Sequence, residues 1–309
     1  MKLIKPKFWD REIGLIAILL LPLSLVFLFL IFLRKKFFKI NIFKIPIVCV
    51  GNIYIGGTGK TPTAILLANE LSKLGKKAAI LRKYYKNHDD EYNLIKRYFD
   101  NLIISRDRVH GVKKAENSGN DIVILDDGLQ DCSVKKNLKI VCFNQNQLIG
   151  NGLVLPSGPL REGLSALIDT DIILINGKKE KNFEEKILKI NKRLEFFYSS
   201  YKVINANEFR NKRLLALAGI GNPENFLNLI KDNNLIIEKK LIFPDHYKFS
   251  RNEIQHIVDN AEKDNLQIIM TEKDYFKIKD FKINNIKYLK IELVVDNQEK
   301  LLSRINNIT

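Results

Sequence analysis

Cysteine and histidine are scarce in this chain of 309 residues, with 3 Cys and 4 His. Cys49, Cys132 and Cys142 form no CxxC pair, so neither a disulfide framework nor a thiolate metal site is expected. Cys49 and Cys142 lie inside apolar runs and read as core thiols of a reducing compartment. The scattered histidines argue against a His-rich metal centre. No internal repeat and no low-complexity block appears beyond a general Lys/Asn bias. Clustered Lys/Arg interleaved with aromatic platforms is also missing, so nothing but charge points to a nucleic acid, and none is expected as partner.

Acidic residues are the minority: 51 Lys+Arg stand against 35 Asp+Glu, a net charge of +16. That excess suits anionic partners such as a nucleotide, a phospholipid surface or a phosphorylated substrate, and a Lys-rich base composition contributes to it. With 46% apolar and 28% charged residues the chain can build a core, which excludes a disordered protein. The length suits one large domain or two ordinary ones.

Charge is absent altogether between Ile13 and Leu33. An apolar helix of about 20 residues matches the hydrocarbon thickness of a bilayer. Lys2, Lys5, Lys7 and Arg11 precede the run, and Arg34, Lys35, Lys36 and Lys39 follow it. A cleaved signal peptide has a shorter apolar stretch and a small-residue cleavage site, whereas this run ends in a basic cluster, so it reads as a membrane anchor. Spanning and dipping into one leaflet are both compatible with Pro22, which membrane helices tolerate. The balanced flanking charges do not fix orientation. A buried hairpin of a soluble core is the plain alternative.

Downstream, short Val/Ile/Leu-rich runs alternate with helical patterns. Strands are expected at Ile47–Val50, Ala78–Leu81, Leu102–Ile104, Ile122–Leu125, Ile140–Phe143 and Ile172–Ile175, with helices such as Thr61–Leu74 and Arg108–Asn117 between them. This is the signature of a parallel sheet covered on both faces. A second set is expected at Leu214–Ala218, Ile236–Phe243, Ile268–Thr271 and Tyr288–Ile291. The expected organisation is an anchor with basic flanks over 1–45, an α/β core over 46–176, a linker with a Lys/Glu-rich solvated helix over 177–213, and a smaller α/β domain over 214–309.

The first core strand runs into Gly56-Gly57-Thr58-Gly59-Lys60-Thr61 at the start of a helix. Glycines let the backbone fold around phosphates with its N–H groups inward, and the helix N-terminus favours an anion. Lys60 would reach the β and γ phosphates, and the Thr61 hydroxyl would bind Mg²⁺. The strict pattern G-x-x-x-x-G-K-[ST] requires glycine at position 54, where this chain has Tyr54, so the loop is a variant P-loop. Asp126 and Asp127 end an apolar strand, where carboxylates lie over the nucleotide crevice of a parallel sheet. Both are candidate Mg²⁺ or water ligands.

These segments, Gly56-Gly-Thr-Gly-Lys-Thr-Pro62 and Leu125-Asp-Asp-Gly-Leu-Gln130, together with Asn151-Gly-Leu-Val-Leu-Pro-Ser-Gly-Pro-Leu-Arg-Glu162, resemble the tetraacyldisaccharide 4'-kinase family. The resemblance extends through Arg106-Asp-Arg108, Gly219-Ile-Gly-Asn-Pro223, Phe243-Pro-Asp-His-Tyr247 and Thr271-Glu-Lys-Asp274, from the anchor to about residue 275. It implies a P-loop kinase-like α/β fold, ATP and Mg²⁺, and transfer of the γ-phosphate to the 4' hydroxyl of a tetraacylated diglucosamine 1-phosphate in lipid A synthesis. It also implies a lipid substrate and a bacterial inner membrane; use of ATP would put the active site on the cytoplasmic side, and no obligate protein partner is inferred. The family's base is an Asp of a Gly-Asp-Glu segment assisted by the His of Pro-Asp-His. The matching positions are Asp90, with Asp89 and Glu91 as neighbours one register step away, and His246. The family's Ser-Arg-Gly-Tyr is here Arg82-Lys83-Tyr84-Tyr85, with Lys83 still offering charge to a substrate phosphate. Arg106, Arg108, Arg161 and Glu162 are further candidates for phosphate or nucleotide-loop contact, or else simple ion pairs. From another class, a membrane-recruited ATPase switch would use the same loop without an acceptor pocket.

Overall fold

The computed structural model describes residues 6–37, 39–86, 88–221, 223–244 and 247–308, and of Asp90 the backbone alone. In chain order the elements are α1 (Leu15–Phe37), β1 (Ile47–Gly51), α2 (Lys60–Lys73), β2 (Ala78–Lys83), α3 (Asp89–Tyr98), β3 (Leu102–Ser105), α4 (Arg108–Asn117), β4 (Ile122–Asp126), β5 (Leu138–Asn144), β6 (Ile172–Asn176) and α5 (Lys181–Leu188). They continue with β7 (Glu195–Val203), β8 (Arg213–Ala218), α6 (Pro223–Asp232), β9 (Ile236–Ile242), α7 (Arg251–Lys263), β10 (Gln267–Thr271), α8 (Glu272–Ile278), β11 (Ile286–Leu289), β12 (Ile291–Val295) and α9 (Gln298–Asn306).

The chain divides into two units, residues 1–86, 95–200 and 295–309 in the first and 87–94 and 201–294 in the second. The large sheet runs β12-β7-β6-β5-β1-β4-β2-β3. β1 pairs in parallel with both β4 and β5. The chain leaves β1 to build β2, β3 and β4 on one side, then crosses to build β5, β6 and β7 on the other. β1 therefore sits at the point where strand order reverses, and a crevice opens there at the carboxyl ends. Every β1 residue is buried, because alternate side chains feed two cores. Ile47 and Cys49 join Val112 and Ala115 of α4 and Phe183 and Ile187 of α5. Val48 and Val50 join Leu67 and Leu71 of α2 and Leu301 and Ile305 of α9. Cys49 and Cys142 are free and buried, as core thiols.

The second unit holds a four-stranded parallel sheet, β11-β10-β8-β9. Phe226, Leu227 and Ile230 of α6 cover one face, and Ile254, Val258 and Ala261 of α7 cover the other. Ser250 and Glu253 form a reciprocal capping box that starts α7.

Two boundaries differ from expectation. The stretch 177–213 is not a linker, because α5 packs on the large sheet and β7 extends that sheet beside β6. The Lys/Glu richness of the stretch belongs to the solvated face of α5. The C-terminal residues 295–309 do not close the smaller unit but return to the first. Leu301 and Ile305 of α9 are fully buried there, a contact between segments far apart in sequence that no local pattern announces.

α1 is one continuous helix of 23 residues through Pro22, which removes the hairpin alternative. At a rise of 1.5 Å per residue it is about 35 Å long. It is long and apolar enough to cross a membrane by length and composition. One stripe docks on the first unit. Ala17 and Ser24, two turns apart on one face, are buried, and Phe27 and Leu28 pack on the core. The Ser24 hydroxyl lies 2.8 Å from the Val154 carbonyl and 2.8 Å from Ser157 Oγ, and accepts from Ser157 N at 3.0 Å. The other face exposes Leu15, Leu19, Leu23, Val26, Phe29 and Leu30.

If α9 is part of the first core, Leu301→Ala will lower the free energy of unfolding by about 2–5 kcal/mol, the range for a buried leucine truncation. Chemical denaturation followed by circular dichroism measures this. A change under 0.5 kcal/mol, the range of surface substitutions, would place α9 outside the core.

Candidate functional site

The loop after β1 is braced by side chains on either side of the glycines. Asn52 Nδ2 donates to the Gly56 carbonyl at 3.2 Å and to Thr58 Oγ1 at 3.0 Å. The Asn52 carbonyl in turn accepts from Gln130 Nε2 at 2.7 Å. Gly59 caps α2 with φ +90°, a left-handed conformation that a side chain would strain. Thr63 N closes the first turn onto the Gly59 carbonyl at 3.0 Å. Gly56 and Gly57 remain exposed, so the backbone N–H groups of the loop are accessible to an anion.

Tyr54 occupies the position that a strict P-loop gives to glycine, and it does so as a core residue. It has no exposed surface, pairs with Leu160, and its hydroxyl donates to Asp10 Oδ1 at 2.9 Å. Burial, reinforced by Asp10, raises its pKa. Two further bonds, Ile55 N to the Pro159 carbonyl at 2.9 Å and Arg161 N to the Ile53 carbonyl at 2.6 Å, bind this stretch to the 151–162 loop. The phosphate loop is shaped by that long-range support.

Two carboxylates face the loop from the end of β4. Asp126 has no exposed surface, accepts from Thr61 Oγ1 at 3.0 Å and is paired with Arg82. Burial pushes its pKa up, against the pull of Arg82. Asp127 turns the chain with φ +57°, so its carboxylate meets different partners: Lys60 Nζ at 3.6 Å and Arg161 Nη1 at 3.0 Å. Burial alone would raise Asp127; Lys60 and Arg161 outweigh it and hold the carboxyl below its ordinary range. Lys60 is itself lowered by burial, against the pull of Asp127.

The expected residues therefore separate. Lys60, Thr61, Asp126, Asp127 and Arg161 come together around the loop. Arg108 is buried and serves the turn, with Nη2 on the Asp127 carbonyl at 2.7 Å and Nη1 on Asp131 Oδ2 at 2.8 Å. Glu162 is buried and pairs with Lys35 at the end of α1, while Arg34 donates to the Gln130 carbonyl. Arg106 is exposed and stands over the Tyr84 ring at 5.6 Å. Lys83 ends β2, half-buried. Asp90 is the second residue of α3, but its side chain and the whole of His246 lie outside the described residues. Of the neighbours, Asp89 is exposed, and Glu91 lies 3.1 Å from His88 Nδ1.

In the second unit, Gly219 and the 271–274 segment form one cluster. Asp274, fully buried, accepts from Gly219 N at 2.7 Å, from Thr271 Oγ1 at 2.8 Å and from Lys277 Nζ at 2.7 Å. Sequence reasoning missed Asn52 and Arg82. Asn52 carries a weak signal, a polar residue at the end of a buried strand, whereas Arg82 shows nothing local.

Thr61 Oγ1 and the Asp126 carboxylate are hard oxygen donors side by side, and Asp126 Oδ1 is buried without a hydrogen-bond partner among the described residues. That donor set fits Mg²⁺. Among the described residues no group of three or more His, Cys, Asp or Glu could hold a metal alone.

Restoring the strict pattern with Tyr54→Gly will destabilise the protein by about 3 kcal/mol or more, the cost of emptying a buried aromatic site, and will not tighten nucleotide binding. Thermal denaturation and a nucleotide titration measure both. Unchanged stability with tighter binding would mean that Tyr54 obstructs the loop.

Comparison with known proteins agrees with this geometry. The family described as Tetraacyldisaccharide-1-P 4'-kinase matches residues 16–309. The tetraacyldisaccharide 4'-kinase of Pelagibacter ubique (strain HTCC1062) is 40% identical over 312 residues, covering 99% of this chain and 98% of that protein. That of Rickettsia akari (strain Hartford) is 31% identical over 324 residues, covering 98% and 97%. A crystal structure described as the "apo" form of LpxK from Aquifex aeolicus in complex with ATP superposes with a TM-score of 0.73 at 23% identity. It covers 95% of this chain and 99% of its own, a likeness of fold. With nearly its whole length matched and the phosphate loop and paired aspartates in place, the chain belongs to the tetraacyldisaccharide-1-phosphate 4'-kinase family.

Proposed function

We propose that this kinase transfers the γ-phosphoryl group of ATP to the 4' hydroxyl of tetraacyldisaccharide 1-phosphate, working at the cytoplasmic face of a bacterial inner membrane. The observation that carries the reading is the convergence of Lys60, Thr61, Asp126 and Asp127 on a glycine loop at the switch point of a parallel sheet.

The backbone of Gly56, Gly57, Thr58 and Gly59 cradles the phosphates, and Lys60 supports the β and γ oxygens. Thr61 and Asp126, with Asp127 beside them, would hold Mg²⁺. Bound there, the cation would supply positive charge to offset the charge developing on the phosphates. The 4' oxygen attacks the γ phosphorus, the bond from phosphorus to the β–γ bridging oxygen breaks, and ADP leaves. The hydroxyl proton passes to the Asp90 carboxylate, which His246 orients. Lys83 and Arg106 are candidates for the acceptor's existing phosphate. Arg161 keeps Asp127 ionised and in place.

The acceptor is a lipid that stays in the membrane. The exposed apolar face of α1 and the basic Arg34, Lys35 and Lys36 at its end suit an anionic leaflet. Family membership does not favour the ATPase switch, and neither a nucleic acid nor an obligate protein partner enters the reading.

Detergent-solubilised protein incubated with γ-labelled ATP, Mg²⁺ and tetraacyldisaccharide 1-phosphate will label the lipid. Lys60→Ala will lower the rate by about 100-fold or more, as expected for loss of a charge-stabilising donor. Asp90→Ala will lower it by about 10²–10⁴-fold, the contribution of a general base. Labelled lipid that survives Asp90→Ala would move the base to Asp89 or His246. ATP turnover that needs Lys60 but leaves the lipid unlabelled would overturn the acceptor.

A further inference from the structure

Three polar groups close a triangle where β2 and β4 end. Arg82 Nη1 is paired with Asp126 Oδ2 and donates to Thr61 Oγ1 at 3.1 Å. Thr61 Oγ1 donates to the same Asp126 oxygen at 3.0 Å. One nitrogen thus rests against both side chains read above as the Mg²⁺ ligands. Arg82 and Asp126 are register partners in the parallel pair β2–β4, so the backbone delivers the guanidinium to this carboxylate. Arg82 is 6% exposed and Asp126 0%.

A Mg²⁺ ion sits about 2.0–2.1 Å from each oxygen ligand. An ion shared by Thr61 and Asp126 would contest with Arg82 Nη1 the same two oxygens, Thr61 Oγ1 and Asp126 Oδ2. Guanidinium and metal are therefore alternatives, because two cations would contest one buried carboxylate. Lys60 and Arg161 are both engaged with Asp127. Asp126 Oδ1 is buried and has no partner among the described residues, so the guanidinium uses only one of the carboxylate oxygens.

We propose that Arg82 is a place-holder for the cation, holding Thr61 and Asp126 when no nucleotide is bound and yielding them when Mg²⁺ arrives with the nucleotide. The inference rests on Thr61 and Asp126 being the metal ligands. An unanswered buried carboxylate is strongly unfavourable, and Arg82 answers it. Free Mg²⁺ brings only water and must displace a resident cation. Mg²⁺ on a nucleotide also brings phosphate oxygens, which offer the released guanidinium a new bidentate anionic partner. Metal and nucleotide binding become coupled, each favouring the other.

Mn²⁺ serves as the probe, its free ion followed by electron paramagnetic resonance in titrations of the full-length protein. Without nucleotide, Arg82→Gln and Arg82→Ser will bind one Mn²⁺ at least about 10-fold more tightly than wild type, within the usual range of coupling between sites. Adding Thr61→Ala to either variant will remove that binding. With a non-hydrolysable ATP analogue, wild type will bind Mn²⁺, and Thr61→Ala will weaken it. The proposal is overturned if wild type binds Mn²⁺ without nucleotide as tightly as the neutral variants do, or if variants that still melt cooperatively gain no binding. Should both variants fail to fold, wild type decides: Mn²⁺ binding that is equally tight with and without the analogue sinks the place-holder. If the analogue-dependent Mn²⁺ is indifferent to Thr61→Ala, the ligand assignment itself has failed. That outcome overturns the inference too, but it differs from a loss confined to the nucleotide-free titrations.

Discussion

A carboxylate with no contact with water stands at the centre of this fold. Asp126 ends a central parallel strand, and removing such a group from water costs several kcal/mol unless neighbours answer its charge. The neighbours come from two places in the chain: the Thr61 hydroxyl at the head of α2 and the Arg82 guanidinium at the end of β2. Their meeting requires β1, β4 and β2 to lie side by side in register, which they do. One residue later, the left-handed backbone at Asp127 swings the next carboxylate toward Lys60 and Arg161. Two adjacent aspartates thereby face separate cations instead of repelling one another across a shared partner. Arg108 locks the turn by holding the Asp127 carbonyl.

The 151–162 loop joins this site to the apolar helix. At one end its backbone and Ser157 receive Ser24 in the middle of α1, and Trp9 Nε1 donates to the Pro156 carbonyl at 3.0 Å. At the other end Arg161 meets Asp127, while Glu162 meets Lys35. Consecutive side chains of one loop therefore face Asp127 and the end of the apolar helix. A buried stripe containing a bonded serine is also a constraint on α1 itself. The docked face is committed to protein, and only the opposite face is available to lipid. The apolar helix and the glycine loop therefore belong to one unit.

Much of this was legible in advance because it is local. Strand, glycines, Lys60, Thr61 and helix follow one another within a few residues, and the physics of phosphate binding needs that order. Asp126 and Asp127 were legible as charges ending an apolar run. The strands β1, β4, β5, β6, β8 and β10 announced themselves because, covered on two faces, they are almost continuously apolar. Less visible were β7, whose alternating pattern sits in a polar stretch, and α9, whose value lies in Leu301 and Ile305 reaching a core built much earlier in the chain. Arg108 and Glu162 read as candidates for phosphate or nucleotide-loop contact, or else as simple ion pairs; their side chains turn to Asp131 and Lys35.

The sequence by itself determined the class of fold, the apolar helix, the glycine loop and the carboxylates beside it, since each depends on residues within one turn or one strand. Only the tertiary structure decided what Tyr54 and Arg82 do. At position 54 a bulky ring replaces glycine because Asp10 and Leu160, distant in sequence, complete a pocket for it. At position 82 an arginine is tolerated in a buried site because the strand order sets Asp126 beside it. Both outcomes turn on which segments become neighbours, and in a parallel sheet the pairing of β1 with β4, and of β4 with β2, sets those neighbours.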